Sequence, residues 1–477
     1  MPLRNTVTAF GPVRGVPCGN PMYTVYRGIP YAAPTEGENR FREPVSPAPW
    51  TTEKLCNEFS DICMQASPVR GLPFGDFFLK EFYPYQYPCS EHSLCLNVWT
   101  PAQTCDEKLP VMFWIHGGGF GSGYGHEMEF DGEAICKEGV ILVTINYRLN
   151  TFGFFAHPEL SLENDHKVSG NYGILDQVAA LRWVQENIAA FGGDPENVTI
   201  FGQSAGGMSV IAQLITDLSE KLFARAIIQS GAFGMTSDVM MTDRKTAEQW
   251  GTDFCAFSGK TVKELRALTA HELMNLFEAA EKKLGPAPKT VSDGYVLPDA
   301  PLECLKAGQW KNIPIMVGSV RGDYALGASF SKNKRAEDAG IAPEDIAFMG
   351  DALVALHQAE PGHIPAYMYY FDPVIPDHDI YGFVEDGVPY HSAELWYVFG
   401  TLDRCWRSFS GQHYELSGKM IKYWTNFAKT GDPNGSGLPE WTPFTQDNMS
   451  EMYLTEDVCQ CRPVKNAEII GKIYLDR

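Results

Sequence analysis

No C-x-x-C pair occurs in this 477-residue chain. Its twelve cysteines are scattered, and the closest two, Cys459 and Cys461, stand two apart. That spacing excludes the usual zinc and iron–sulfur signatures, so no metal is expected. Long apolar runs are missing too. Nothing approaches the roughly 18 apolar residues of a membrane span, and the opening MPLRNTVTAFGP lacks the apolar core of a secretion signal. A cytoplasmic protein with reduced thiols is the expectation. Basic charge is scarce: 38 Lys and Arg stand against 59 Asp and Glu, a net charge of −21. Such a field repels nucleic acid and anionic membranes, so neither is expected as a partner. There is no internal repeat and no low-complexity segment, and nothing in the composition bears on oligomeric state.

What remains is globular, with 44% hydrophobic and 20% charged residues. Six short apolar runs read as buried strands: LPVMFWI (109–115), GVILVTINY (139–147), NVTIF (197–201), ARAIIQS (224–230), IPIMVGS (313–319) and AYMYYF (366–371). They are rich in branched and aromatic side chains and mostly end at Gly, Pro or polar residues. Between the second and third, Ile174, Val178, Leu181, Val184 and Ile188 recur at three and four, which predicts a helix. A second helix should follow Ser204, carrying Met208, Ile211 and Ile215. Strands alternating with helices imply an α/β fold with a large, mostly parallel sheet covered on both faces. Residues 235–300 and 331–363 read as helical excursions from a single catalytic domain spanning 1–477. A last helix, KMIKYWTNFAKTG, should stop at Gly431 and Pro433.

One stretch asks for more than a fold. Residues 201–207, FGQSAGG, place Ser204 between glycines directly after an apolar run. Ser and Gly are ordinary turn residues, but the pattern also describes a nucleophile elbow. An elbow serine needs donors for an oxyanion, and WIHGGGF (114–120) puts three glycines after another predicted strand. It also needs an acid and then a histidine further along the chain. Five histidines follow the strand at 313–319: His357, His363, His378, His391 and His413. His391 lies between a polar loop and an apolar segment. Asp323 sits four residues past Ser319 on the loop leaving that strand. Glu394 is the competing acid, although three residues from His391 it suits the anchoring of a local turn.

These blocks together resemble the type B carboxylesterase and lipase family of α/β hydrolases, which includes the cholinesterases. The resemblance runs over nearly the whole chain: YRGIPYAAPTEGENRFREPVSPAPW, SEHSLCLNVWTP, FWIHGGGFGSG, INYRLNTFGFF, the long block from GNYGILDQ to FGQSAGG, and YWTNFAKTGDPN. It implies Ser204 as nucleophile and Gly118, Gly119 and Ala205 as oxyanion donors. His391 and Glu394 match the family's His-x-x-Glu. Asp323 takes the place of the glutamate in Gly-x-x-x-Asp-Glu-Gly, with Gly322 and Tyr324 departing from the pattern on either side. Cys63 matches one half of a family disulfide, but Ser93 stands where its partner would be; Cys89 and Cys95 leave a shifted pairing open. Glu91 with Arg148 is the implied buried pair. Neutral Gln203 stands where the family often has Glu.

The loop from 63 to 89 contains Phe77, Phe78, Phe82, Tyr83, Tyr85 and Tyr87 but no tryptophan to hold a quaternary ammonium. An aromatic mouth for a small neutral ester is the expectation. The reaction would be ester hydrolysis through an acyl-enzyme, without a cofactor. A feruloyl esterase, a carbamate hydrolase and a lipase would share this machinery, and a non-catalytic binding protein could share the fold.

Overall fold

The computed structural model describes residues 1–83, 85–236, 241–323, 334–382 and 384–475. Eleven strands form one twisted sheet. In chain order they are β1 (Val16–Pro17), β2 (Thr24–Pro30), β3 (Cys95–Thr100), β4 (Leu109–Ile115), β5 (Ile141–Ile145), β6 (Gly193–Gln203), β7 (Arg225–Gln229), β8 (Ile315–Val320), β9 (Tyr367–Phe371), β10 (Ser450–Leu454) and β11 (Cys459–Pro463). Their spatial order is β11-β10-β9-β8-β7-β6-β4-β5-β3-β2-β1. From β10 across to β5 every pairing is parallel. Both edges are antiparallel: β11 on β10, and β1, β2 and β3 beyond β5.

The six predicted runs became β4 to β9, trimmed or extended by a few residues. Parallel strands are covered on both faces and therefore read as unbroken apolar runs. Side chains alternate between two cores: Val111, Phe113 and Ile115 face one, Met112 and Trp114 the other. The five edge strands escaped the sequence reading because they carry polar positions. In β2 the pairing register also shifts between Tyr26 and Ile29, where Arg27 and Gly28 interrupt the apolar pattern.

Four helices cover the sheet: α1 (Tyr172–Asn187), α2 (Ala205–Ile215), α3 (Met349–Gln358) and α4 (Gly411–Thr430). Leu181 of α1, Ile211 of α2 and Leu353 of α3 join one core. Met420, Trp424 and Phe427 of α4 join the other. Gly431 caps α4 in the left-handed conformation, so the helix ends where the Gly–x–Pro signal placed its stop. Within 235–300 lie three helices, Arg244–Ser258, Val262–Ala267 and Ala270–Leu284. The second and third open with capping boxes, Thr261 with Glu264 and Thr269 with Glu272. Within 331–363 lie Lys334–Asp338, Pro343–Ile346 and α3. Residues 237–240, 331–333 and Tyr324 are outside the described residues. Among those described, no helix is long and apolar enough to cross a membrane.

One implied pairing is different from expectation. Glu91 is bound in a two-pronged ion pair by Arg40, not by Arg148. Arg148 instead grips Asp176 of α1 through Nε at 2.8 Å, a terminal nitrogen at 2.7 Å and its backbone N–H at 3.0 Å. Asp176 lies on the adjacent helix, so one carboxylate takes both backbone and guanidinium donors of Arg148. All twelve cysteines are free, Cys63, Cys89 and Cys95 included, and Ser93 Oγ hydrogen-bonds the Cys63 sulfur at 3.1 Å.

Candidate active site

The carboxyl ends of the parallel strands carry the chemistry-bearing residues, where open α/β sheets place their ligands. Ser204 follows β6 and precedes α2 with φ +57° and ψ −124°. A non-glycine residue there is strained, and its surroundings hold it. Its N–H donates to the Gln229 carbonyl at the end of β7 at 2.9 Å, and its own carbonyl accepts from Met208 N at 2.9 Å.

The glycines flanking Ser204 answer to space. A Cβ on Gly206 would lie 2.0 Å from the Ile115 carbonyl oxygen, and one on Gly202 would lie 2.5 Å from the Gly206 backbone. The turn closes only because strand β4 and helix α2 touch backbone to backbone. Gly206→Ala is therefore expected to destabilise the fold by at least about 2 kcal/mol, as overpacking against rigid backbone does. A urea midpoint unchanged from wild type would contradict this.

Gly118 and Gly119 lie on the loop after β4 with φ +96° and +61°. Among the described residues, their N–H groups and that of Ala205 donate to no group of the chain. The Ser122 N–H and hydroxyl both bond the Gly118 carbonyl, at 3.0 and 3.2 Å, which fixes the loop.

His391 and Asp323 meet. His391 Nδ1 lies 2.6 Å from Asp323 Oδ1, and Asp323 Oδ2 accepts from Val320 N at 3.1 Å. Gly322 makes this contact possible. Its N–H donates to the Pro389 carbonyl at 3.0 Å, and a Cβ on it would lie 2.3 Å from that oxygen. The acid loop and the histidine loop thus approach as closely as backbone allows.

Two more buried carboxyls surround Asp323. Burial, and next the Asp323 charge, push the Glu394 carboxyl up to about 8. Burial raises Asp351 well above the carboxylate range, with Asp323 adding to it, while Ser319 Oγ donates to Asp351 Oδ2 at 2.6 Å. The Glu394 carboxyl accepts from its own backbone N–H, within the turn that it was expected to anchor. It also accepts from Gln229 Nε2, at the end of β7, at 3.4 Å.

Gln203 lies closer to the chemistry than its position in the sequence suggested. Its Nε2 is 3.1 Å from His391 Nε2. With Nδ1–H directed to Asp323, that Nε2 is an acceptor and the Gln203 amide its donor. Among the described residues Ser204 Oγ makes no hydrogen bond.

Ser204, His391, Gln203 and the glycine loop open onto a cavity of about 540 Å³. Phe78, Phe82 and Tyr83 of the aromatic loop line it, whereas Phe77 is core and Tyr85 points to solvent. Tyr87 instead packs on Tyr124 and His126. Three charged lining residues escaped the sequence reading: Glu127, Glu129 and Lys289. The only signal for the first two was a pair of acids at alternate positions in HEMEF, shortly after the glycine loop. Away from the cavity, His357, Glu360 and His363 come within 4.8 Å of one another. They form a metal-capable group that a search for paired cysteines misses.

A serine on a strand-to-helix elbow, above a parallel sheet and beside a histidine–aspartate pair, defines an α/β hydrolase. The chain belongs to the carboxylesterase family, whose model matches residues 4–341 and 330–469. It is 33% identical to the para-nitrobenzyl esterase of Bacillus subtilis, covering 94% of each chain. Against mouse carboxylesterase 1E it is also 33% identical, over 88% of this chain and 84% of that one. Among solved structures, a thermophilic PNB esterase superposes with a TM-score of 0.84 at 28% identity, covering 99% of this chain and 100% of the other. A Geobacillus stearothermophilus carboxylesterase gives 0.80 at 32% identity, over 98% and 99%.

Proposed function

We propose that this carboxylic ester hydrolase acts through Ser204, His391 and Asp323 in a single catalytic domain, taking neutral esters by way of an acyl-enzyme. The observation that carries the reading is the 2.6 Å His391–Asp323 contact at the rim of the cavity onto which Ser204 opens. Ser204 Oγ attacks the ester carbonyl carbon while its proton passes to His391 Nε2. Asp323 holds the tautomer and stabilises the imidazolium. The carbonyl oxygen, now negative, accepts from the N–H groups of Gly118, Gly119 and Ala205, which no group among the described residues uses. His391 returns the proton to the leaving alkoxide as the tetrahedral intermediate collapses. A water then repeats the sequence on the acyl-enzyme and frees the acid.

Gln203 bears on the first step. Its amide donates to the lone pair that must take the serine proton, so it yields that nitrogen as the substrate seats. Glu394 supports the site from behind as a neutral group. The twelve free thiols suit a reducing cytoplasm.

Labelling tests the assignment. A fluorophosphonate should inactivate the protein at one equivalent, and mass spectrometry should place the adduct on Ser204. An adduct on any other residue would overturn the nucleophile.

A further inference from the structure

The wall of the ester cavity contains two acids that pair with no cation among the described residues. Glu127 and Glu129 line the same cavity as Ser204 and His391 and are 7% and 1% exposed. Their carboxyls hydrogen-bond each other. Glu127 Oε1 also accepts from Tyr124 N at 3.0 Å and Tyr83 OH at 3.4 Å. Glu129 Oε2 accepts from nothing among the described residues. The Thr401 hydroxyl donates to the Glu129 backbone carbonyl at 3.0 Å, which pins the segment.

The neighbouring acid, Glu81, is treated differently: Arg407 Nε at 2.8 Å, Trp406 Nε1 at 2.6 Å and the Tyr390 hydroxyl all bind it. Lys289 also lines the cavity, beside Gly121, but forms no ion pair with Glu127 or Glu129 among the described residues. Burying a carboxylate without a positive partner is costly, and an unpaired buried acid facing a ligand cavity is a candidate functional group.

We propose that Glu127 and Glu129 form a subsite for a primary ammonium group carried by the ester substrate. This rests on the esterase reading and extends its substrates from neutral esters to esters that carry an amine. An ammonium supplies N–H donors where the acid pair has acceptors left over, and it supplies the missing charge. Burial pushes Glu127 up to about 7, and burial together with Glu127 raises Glu129 well above the carboxylate range. The pair therefore holds a proton that an entering cation can displace. The net charge of −21 draws cations toward the protein from a distance. A quaternary ammonium has no N–H to donate, so the subsite distinguishes it from an amine, in keeping with the absence of a tryptophan between residues 63 and 89.

The test compares matched esters on the intact enzyme. On the alcohol side these are 6-aminohexyl butanoate, its trimethylammonium counterpart and heptyl butanoate. On the acyl side they are the 4-nitrophenyl esters of 6-aminohexanoic and heptanoic acids. In at least one series the amine should exceed the neutral isostere in kcat/KM by about tenfold or more, as a charge-assisted hydrogen bond warrants. Glu127→Gln and Glu129→Gln should each bring that ratio toward one. The ratio is taken within one preparation, so partial misfolding cancels, and either variant alone suffices.

Equal rates for amine and isostere in both series would overturn the proposal. So would an equal preference for the trimethylammonium ester, which would leave only the long-range field, or a ratio that survives both substitutions. Calorimetric binding of hexylammonium to wild type and Glu127→Gln needs no turnover. Failure to hydrolyse any ester counts against the esterase reading, and failure to bind hexylammonium counts against the subsite.

Discussion

Ser204→Ala is expected to lower kcat on 4-nitrophenyl butanoate by about four to six orders of magnitude, the scale of triad knockouts in serine hydrolases. Alanine removes the attacking oxygen and little else. The hydroxyl makes no hydrogen bond among the described residues, so its loss leaves no buried partner stranded. The elbow is held by backbone contacts that alanine keeps: the bond from residue 204 to Gln229 and the close approach of Gly206 to Ile115. The variant should therefore fold, retain its urea midpoint to within a few tenths of a molar, and still bind substrate. Whatever activity persists should come from the N–H groups of Gly118, Gly119 and Ala205 acting on a carbonyl attacked by water. A folded Ser204→Ala protein within a hundredfold of wild type would remove Ser204 from the chemistry.

Asp323→Asn should cut kcat by about four orders of magnitude while leaving the fold intact, because an amide in that place favours the wrong imidazole tautomer. The other candidate acid gives the contrast. Glu394 is largely protonated at pH 7, held there by burial and by the charge of Asp323. Glutamine reproduces a neutral carboxyl closely, so Glu394→Gln should cost far less. The sign of its pH effect also follows. Glu394 is neutral when folded below about 8, and ordinary glutamates ionise near 4.5. Wild type thus loses stability between those values as pH rises, and the glutamine variant should lose less by the share of this one group.

Asp323→Glu supplies the acid that the family resemblance implies but lengthens the side chain by one methylene in a loop that Gly322 already presses against Pro389. A carboxylate displaced by about 1 Å should cost roughly a hundredfold. Near-normal turnover in Asp323→Asn, with Glu394→Gln inactive, would transfer the acid to Glu394.

The amino-acid order by itself determined the parallel centre of the sheet, helices α1, α2 and α4, the elbow at Ser204 and the glycine loop at 117–119. Each depends on neighbours in the chain: an apolar run buried on both faces, a repeat of three and four, a small residue where backbone must approach backbone. The outer strands were not legible, because polar residues interrupt their apolar runs even where they are buried, as Asn97 does in β3 and Glu451 in β10.

Tertiary structure decided the partners. Arg40 reaches Glu91 across 51 positions and Arg148 reaches Asp176 across 28, and no local pattern says which arginine a carboxylate will meet. It also decided that Glu394 bonds Gln229, that the Gln203 amide faces His391, and that Gly322 brings an aspartate within reach of the histidine. Glu127 and Glu129 show the difference most clearly. In the sequence they are two acids among 59. Buried beside each other on the wall of the ester cavity, with Arg407 already committed to Glu81, they become a pair of carboxyls without a cation among the described residues.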